Sequence, residues 1–129
     1  MSRIAVGLAL AVLLGACSGA SEESLPPVKT ELIQVWEINW FSNTGLRANF
    51  GDVDVISARI DEACSVDVWV PEINFELAAN FVVADGGDAN DLELRLNAAR
   101  AIWLSASHIC ESRFPAEAIE LGPPGIFHL

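Results

Sequence analysis

The side chains best suited to chemistry crowd into one short run, "DGGDANDLE", from Asp85 to Glu93. Asp85, Asp88, Asn90, Asp91 and Glu93 place five oxygen-bearing side chains within nine residues. Hard cations such as Ca²⁺ take oxygen ligands from short flexible loops, which makes Asp85, Asp88 and Asp91 the candidate metal ligands. The competing reading is structural. Two glycines allow a turn, Asn90 and Glu93 have capping-box spacing, and acids are favoured at the positive N-terminus of a helix. The structural reading is preferred, so no metal and no cofactor are expected. Histidine is confined to His108 and His128. Nucleophile elbows, H-E-x-x-H zinc motifs, P-loops and dinucleotide fingerprints are all missing from the sequence. No catalytic residue is assigned, and a non-enzymatic protein is expected. Trp36, Trp40 and Trp69 could stack on a sugar or aromatic ligand, but they read first as core.

Within the acidic run, Gly86 to Asp91 (GGDAND) resembles one unit of the Gly-Gly-x-Gly-x-Asp calcium repeats. Ala89 replaces the third glycine, and no second unit follows to complete a site.

A second chemically distinctive residue is Cys17. Arg3 precedes an apolar run from Ile4 to Leu14, too short for a bilayer span of roughly 20 residues. The run closes on Leu14-Gly15-Ala16-Cys17, which resembles the lipobox of bacterial lipoproteins. The resemblance implies cleavage after Ala16, a signal peptide over residues 1–16 and lipidation of Cys17. A mature multiply acylated cysteine is a lasting membrane anchor, because two or more chains hold where one does not. Ser18 in place of Asp leans toward the outer membrane over the inner. Residues 17–29 then comprise the lipidated Cys17 and a tether, "SGASEESLPPVK", with no apolar period and too little apolar surface to fold.

Residues 30–129 remain for one domain with one modest core. The formal charge of the chain is −11, and loss of Arg3 with the signal makes it one unit more acidic. Such a polyanion excludes nucleic-acid backbones as partners and is repelled by anionic head groups, while favouring a basic partner. With Cys17 committed to lipid, Cys64 and Cys110 are left. Two thiols in an exported protein read as a disulfide.

The elements that must position these residues read as follows. "ELIQVWEINWF" from Glu31 is apolar on both parities, like a strand covered on two faces. Ser42-Asn43-Thr44-Gly45 is a turn. Val53, Ile56, Ile60 and Cys64 lie on one helical face, with Asp52 as the cap. Val66, Val68 and Val70 alternate. After Pro71 the parity flips to Ile73, Phe75, Leu77, Ala79, Phe81 and Val83, which reads as a strand entered through a turn or bulge. Leu92, Leu96, Ala99, Trp103, Ala106 and Cys110 form a helical stripe, supported by an Asp91–Arg95 pair. "AEAIEL" after Pro115 closes the order as a last strand. The sum, βαββαβ, is the split-βαβ order of a ferredoxin-like α+β domain, with an all-β sandwich as the alternative. The functional expectation is a membrane-anchored envelope lipoprotein that binds another envelope protein. The alternative is a module binding a cation, a sugar or a small molecule.

Overall fold

The computed structural model describes residues 27–123. Those residues form five α-helices and no strand: α1 (Pro27–Thr44), α2 (Val53–Ser65), α3 (Pro71–Ala84), α4 (Leu92–Ile109) and α5 (Ala116–Leu121). A 3₁₀ turn at Glu111–Arg113 joins α4 to α5. Residues 32–123 form a helical bundle. The ferredoxin-like α+β order is therefore overturned, and so is the all-β alternative. Cys17, His128 and the signal stretch 1–16 lie outside the described residues. Of the stretch read as a tether, only Pro27, Val28 and Lys29 are described, and they open α1.

Each segment read as a strand is helical or a turn for an identifiable reason. In α1 the buried residues are Ile33, Trp36 and Trp40, a spacing of three and four, while Ile38 is 67% exposed. Both parities are apolar because one stripe of a helix crosses them, not because two sheet faces are covered. Ser42 and Thr44 hydroxyls donate to the Ile38 and Trp40 carbonyls at 2.6 and 2.7 Å, which closes the last turn of α1. Gly45, at φ 73°, then stops it and donates its N–H to the Phe41 carbonyl.

Val66, Val68 and Val70 belong to the α2–α3 connection. Pro71 does not bulge a strand. It occupies the first turn of α3, where its missing N–H costs nothing. Within α3 the buried set is Asn74, Leu77, Ala78, Phe81 and Val82, stepping by three and one as a helical face does. "AEAIEL" is α5, a helix with no fully buried residue.

α2 and α4 follow the periodicity of the sequence. Asp52 caps α2 by accepting the Val55 N–H, and Ile56 and Ile60 face inward. α4 buries Leu96, Ala98, Ala99, Ala101, Ile102, Trp103, Ser105 and Ala106, well over half its circumference. Its small residues allow close approach, and α3 packs along it, followed by α2. One hydrogen bond fixes the α3–α4 register inside the core: the Asn74 amide donates to the Ala99 carbonyl at 2.9 Å. α1 joins through aromatic rings. Trp36 and Trp40 stack at 6.3 Å, and both meet the edge of Phe81 from α3.

The ends of α2 and α4 are joined covalently. Cys64 in the last turn of α2 and Cys110 at the C-cap of α4 form a disulfide, with Cα atoms 6.0 Å apart.

Candidate functional site

Two features draw together residues from distant parts of the sequence. The first is a buried polar node. α3 ends in a Schellman motif: Gly86, at φ 83°, donates to the Val83 carbonyl, and Gly87 donates to Val82. Gly87 must stay without a side chain, because a Cβ there would sit 2.8 Å from Val82 Cγ1. The cap turns Asp85 inward, where its side chain is 1% exposed. Arg59 of α2 donates to both carboxylate oxygens, at 2.8 and 3.1 Å. Trp40 Nε1 donates to Oδ2 at 2.8 Å, and Asn49 Nδ2 to Oδ1 at 2.5 Å. Burial pushes the carboxyl toward protonation. The Arg59 bonds, the Asn49 bond, the Arg59 charge and the Trp40 bond together outweigh it and hold the group below its usual range. The Arg59 guanidinium also lies over Phe81 and Trp40, at 5.2 and 5.9 Å.

The node is packed shut. It ties α1, the α1–α2 loop, α2 and α3 together, and its carboxylate has four donors already. Asp85 is therefore a structural counterion and not a free metal ligand. The other two candidates are also occupied locally. Asp88 accepts the Asn90 N–H at 2.9 Å, and Asp91 accepts the Leu94 N–H at 3.2 Å. The N-cap of α4 is thus Asp91, not Asn90, and the Asn90–Glu93 capping box does not form. The three carboxylates do not converge, and among the described residues no group of three His, Cys, Asp or Glu could hold a metal. The Asp91–Arg95 pair is likewise replaced: Arg95 donates to the Phe75 carbonyl at 3.0 Å and lies 3.9 Å over the Phe75 ring. His108 is exposed in the last turn of α4.

The second feature is open to ligands. A cleft of about 480 Å³ lies between the α2–α3 connection and α5. Trp69 comes from the connection, Trp103 from α4, and Pro115, Ala118, Leu121 and Pro123 from the α5 region. Glu117 is its single titratable group. Phe114 buttresses the Trp103 floor, ring against edge, at 5.4 Å. Arg113 of the 3₁₀ turn and Asp67 of the α2–α3 connection pair at 3.2 Å. Trp36 and Trp40 are core, whereas Trp69 is half-buried at this opening.

The sequence reading missed Trp103, Arg59 and Asn49 as members of either feature. For Arg59 a signal exists: it lies on the apolar face of α2 between Ile56 and Ile60, and a charge there requires a buried counterion. The cleft has no such signal, because its lining comes from three separated segments.

No protein-family model, no curated protein and no solved structure shows significant similarity to this chain. Among the described residues, no helix is long and apolar enough to cross a membrane.

Proposed function

We propose that this chain is a lipid-anchored, non-enzymatic protein of the bacterial cell envelope that binds another envelope protein through the Trp69–Trp103 cleft. The observation that carries the reading is the cleft itself: two tryptophans, two prolines, an alanine and a leucine around one carboxylate. Such a lining desolvates an apolar anchor side chain, the usual centre of a protein interface. Its lone Glu117 has no acid, base or nucleophile beside it in the lining. The anchor rests on the Leu14–Cys17 resemblance, and Ser18 favours the outer membrane. A second reading has the size of the cleft behind it, since about 480 Å³ lies in the range of small-molecule pockets. On that reading the occupant is a small apolar molecule.

Two measurements test the proposal. Metabolic labelling with a fatty acid should mark the chain and fail on Cys17→Ser; label on that variant removes the anchor. A photo-reactive amino acid at exposed Glu117 in living cells should yield one dominant protein adduct. The adduct should vanish when Leu121, 83% exposed at the rim, becomes Asp. An adduct that resists Leu121→Asp, or none at all, overturns binding at the cleft. A small adduct extractable into organic solvent overturns the protein partner in favour of the small molecule.

A further inference from the structure

α3 carries Glu72, Glu76 and Asn80 along one exposed stripe, and apolar residues flank that stripe. Here Ile73 and Val83 are 39% and 60% exposed on its outer face. Between α3 and the start of the α2–α3 connection runs a shallow groove of about 350 Å³, lined by Val66, Ile73, Leu77, Asn80, Glu72 and Glu76. Glu72 and Glu76 stand one turn apart, both exposed. Neither takes part in an ion pair among the described residues, and α3 contains no basic residue.

We propose that this outer face of α3 docks a cationic amphipathic helix from a partner protein. The groove supplies a seam for apolar side chains, and the two carboxylates beside it require cations opposite. An uncharged apolar partner would strand those carboxylates without counterions. A second copy of this chain would set Glu72 and Glu76 against their own kind, and a net charge of −11 adds to that repulsion. An anionic lipid surface is repelled for the same reason. Ile73 to Val83 spans about 15 Å of helix, which matches about three turns of a partner lying along it. This face and the Trp69–Trp103 cleft are lined by different residues, so the proposal stands independently of the cleft.

The test uses the full chain in neutral detergent and a labelled helical peptide of about fifteen residues, built from leucine and lysine in amphipathic order. Its glutamate-for-lysine counterpart serves as the control peptide. Fluorescence anisotropy should show binding of the lysine peptide only. Glu72→Lys/Glu76→Lys and, separately, Ile73→Asp should each weaken it by about tenfold or more. Val83→Asp repeats the apolar test at a more exposed position should Ile73→Asp unfold, as judged by circular dichroism. Asp61→Lys/Glu62→Lys makes the same charge change on exposed positions of α2 and should leave affinity within about twofold. Equal loss in that control would reduce the attraction to net charge and overturn the proposal. Indifference to the aspartate substitutions, binding of the glutamate peptide, or no binding of the lysine peptide would also overturn it.

Discussion

Arg59 grips Asp85 through two parallel hydrogen bonds, with the two side chains 8% and 1% exposed. The pair spans from the apolar face of α2 to the C-cap of α3. Trp40 and Asn49 complete the carboxylate's coordination from α1 and the loop beyond it. A buried pair of this kind is weak support for stability as a whole, but breaking it from one side is costly because the other charge stays buried. Asp85→Ala should therefore cost about 3–5 kcal/mol in urea denaturation. Arg59→Met/Asp85→Leu, which removes both charges, should cost clearly less than either single change. A double variant as damaged as the sum of the singles would mean that the two residues act separately.

The same node sets a pH dependence. The carboxyl of Asp85 is held below its usual range in the folded chain. The unfolded state then binds the proton more readily, so stability is fully present above the ordinary carboxylate range, near pH 4. It drains away as the pH falls through the lower, folded value. The stability gap between the parent and Asp85→Asn should be constant from about pH 7 to 5 and shrink as the pH falls below about 4. A gap that stays constant to pH 2 would show that folding does not lower the pKa of Asp85.

The disulfide closes a loop whose ends are 46 residues apart. The chain-entropy model gives about 4 kcal/mol for a loop of that length. Each kcal/mol moves the melting temperature of a domain this size by about 4–8 °C. Cys64→Ser/Cys110→Ser should therefore melt at least about 10 °C below the oxidised parent. A shift of a degree or two would show that α2 and α4 hold each other without the bond.

Ser105 on α4 offers a gain. It is 1% exposed, and its hydroxyl has no hydrogen-bond partner among the described residues. An unpartnered buried hydroxyl costs about 1–3 kcal/mol relative to an apolar group of similar shape. Alanine fits the space and favours the helix. Ser105→Ala should raise stability by about 1 kcal/mol in denaturant melts; a loss of that size would mean the hydroxyl has a partner in solution.

What the sequence revealed of the fold follows from how each helix shows its core face. α2 and α4 alternate apolar and polar residues at helical spacing, so their faces are legible. α3 is not, because Leu77 and Phe81 share a parity and also lie one helical turn apart, and so fit strand and helix alike. The deciding residues are Ala78 and Val82, apolar, even-numbered and fully buried. They break the alternation that Ile73 and Val83 complete, and those two are exposed. In α1, apolar residues on both parities mimic a doubly covered strand until Ile38 is found outside. The polar node is harder still. Its bonds from Asp85 to Trp40, Asn49 and Arg59 cross 45, 36 and 26 residues, so no local pattern contains them.

The acidic run from Asp85 to Glu93 yields the last prediction, because the structure assigns each of its three aspartates a different task. Asp85 faces inward to Arg59, Asp88 folds back on the Asn90 N–H, and Asp91 caps α4 at the Leu94 N–H. Loss of an N-cap side chain orphans a backbone donor at a cost of about 1 kcal/mol. Asp91→Ala should show that loss in denaturant melts. Asn90→Ala should fall within a few tenths of a kcal/mol of the parent, because exposed Asn90 contributes only its backbone N–H. Calcium should leave the melting temperature of the parent unchanged. A bound cation would have to stabilise the fold by mass action, growing with concentration above its dissociation constant. Melts in calcium and in chelator, on the parent and on Asp88→Asn/Asp91→Asn, separate the two accounts. A calcium-dependent rise in the parent that the double variant lacks would make the run a cation site and displace capping as its role. Equal melts, with the cost confined to Asp91→Ala, would fix Asp91 as the residue that starts α4 and so positions Trp103 twelve residues further along the same helix.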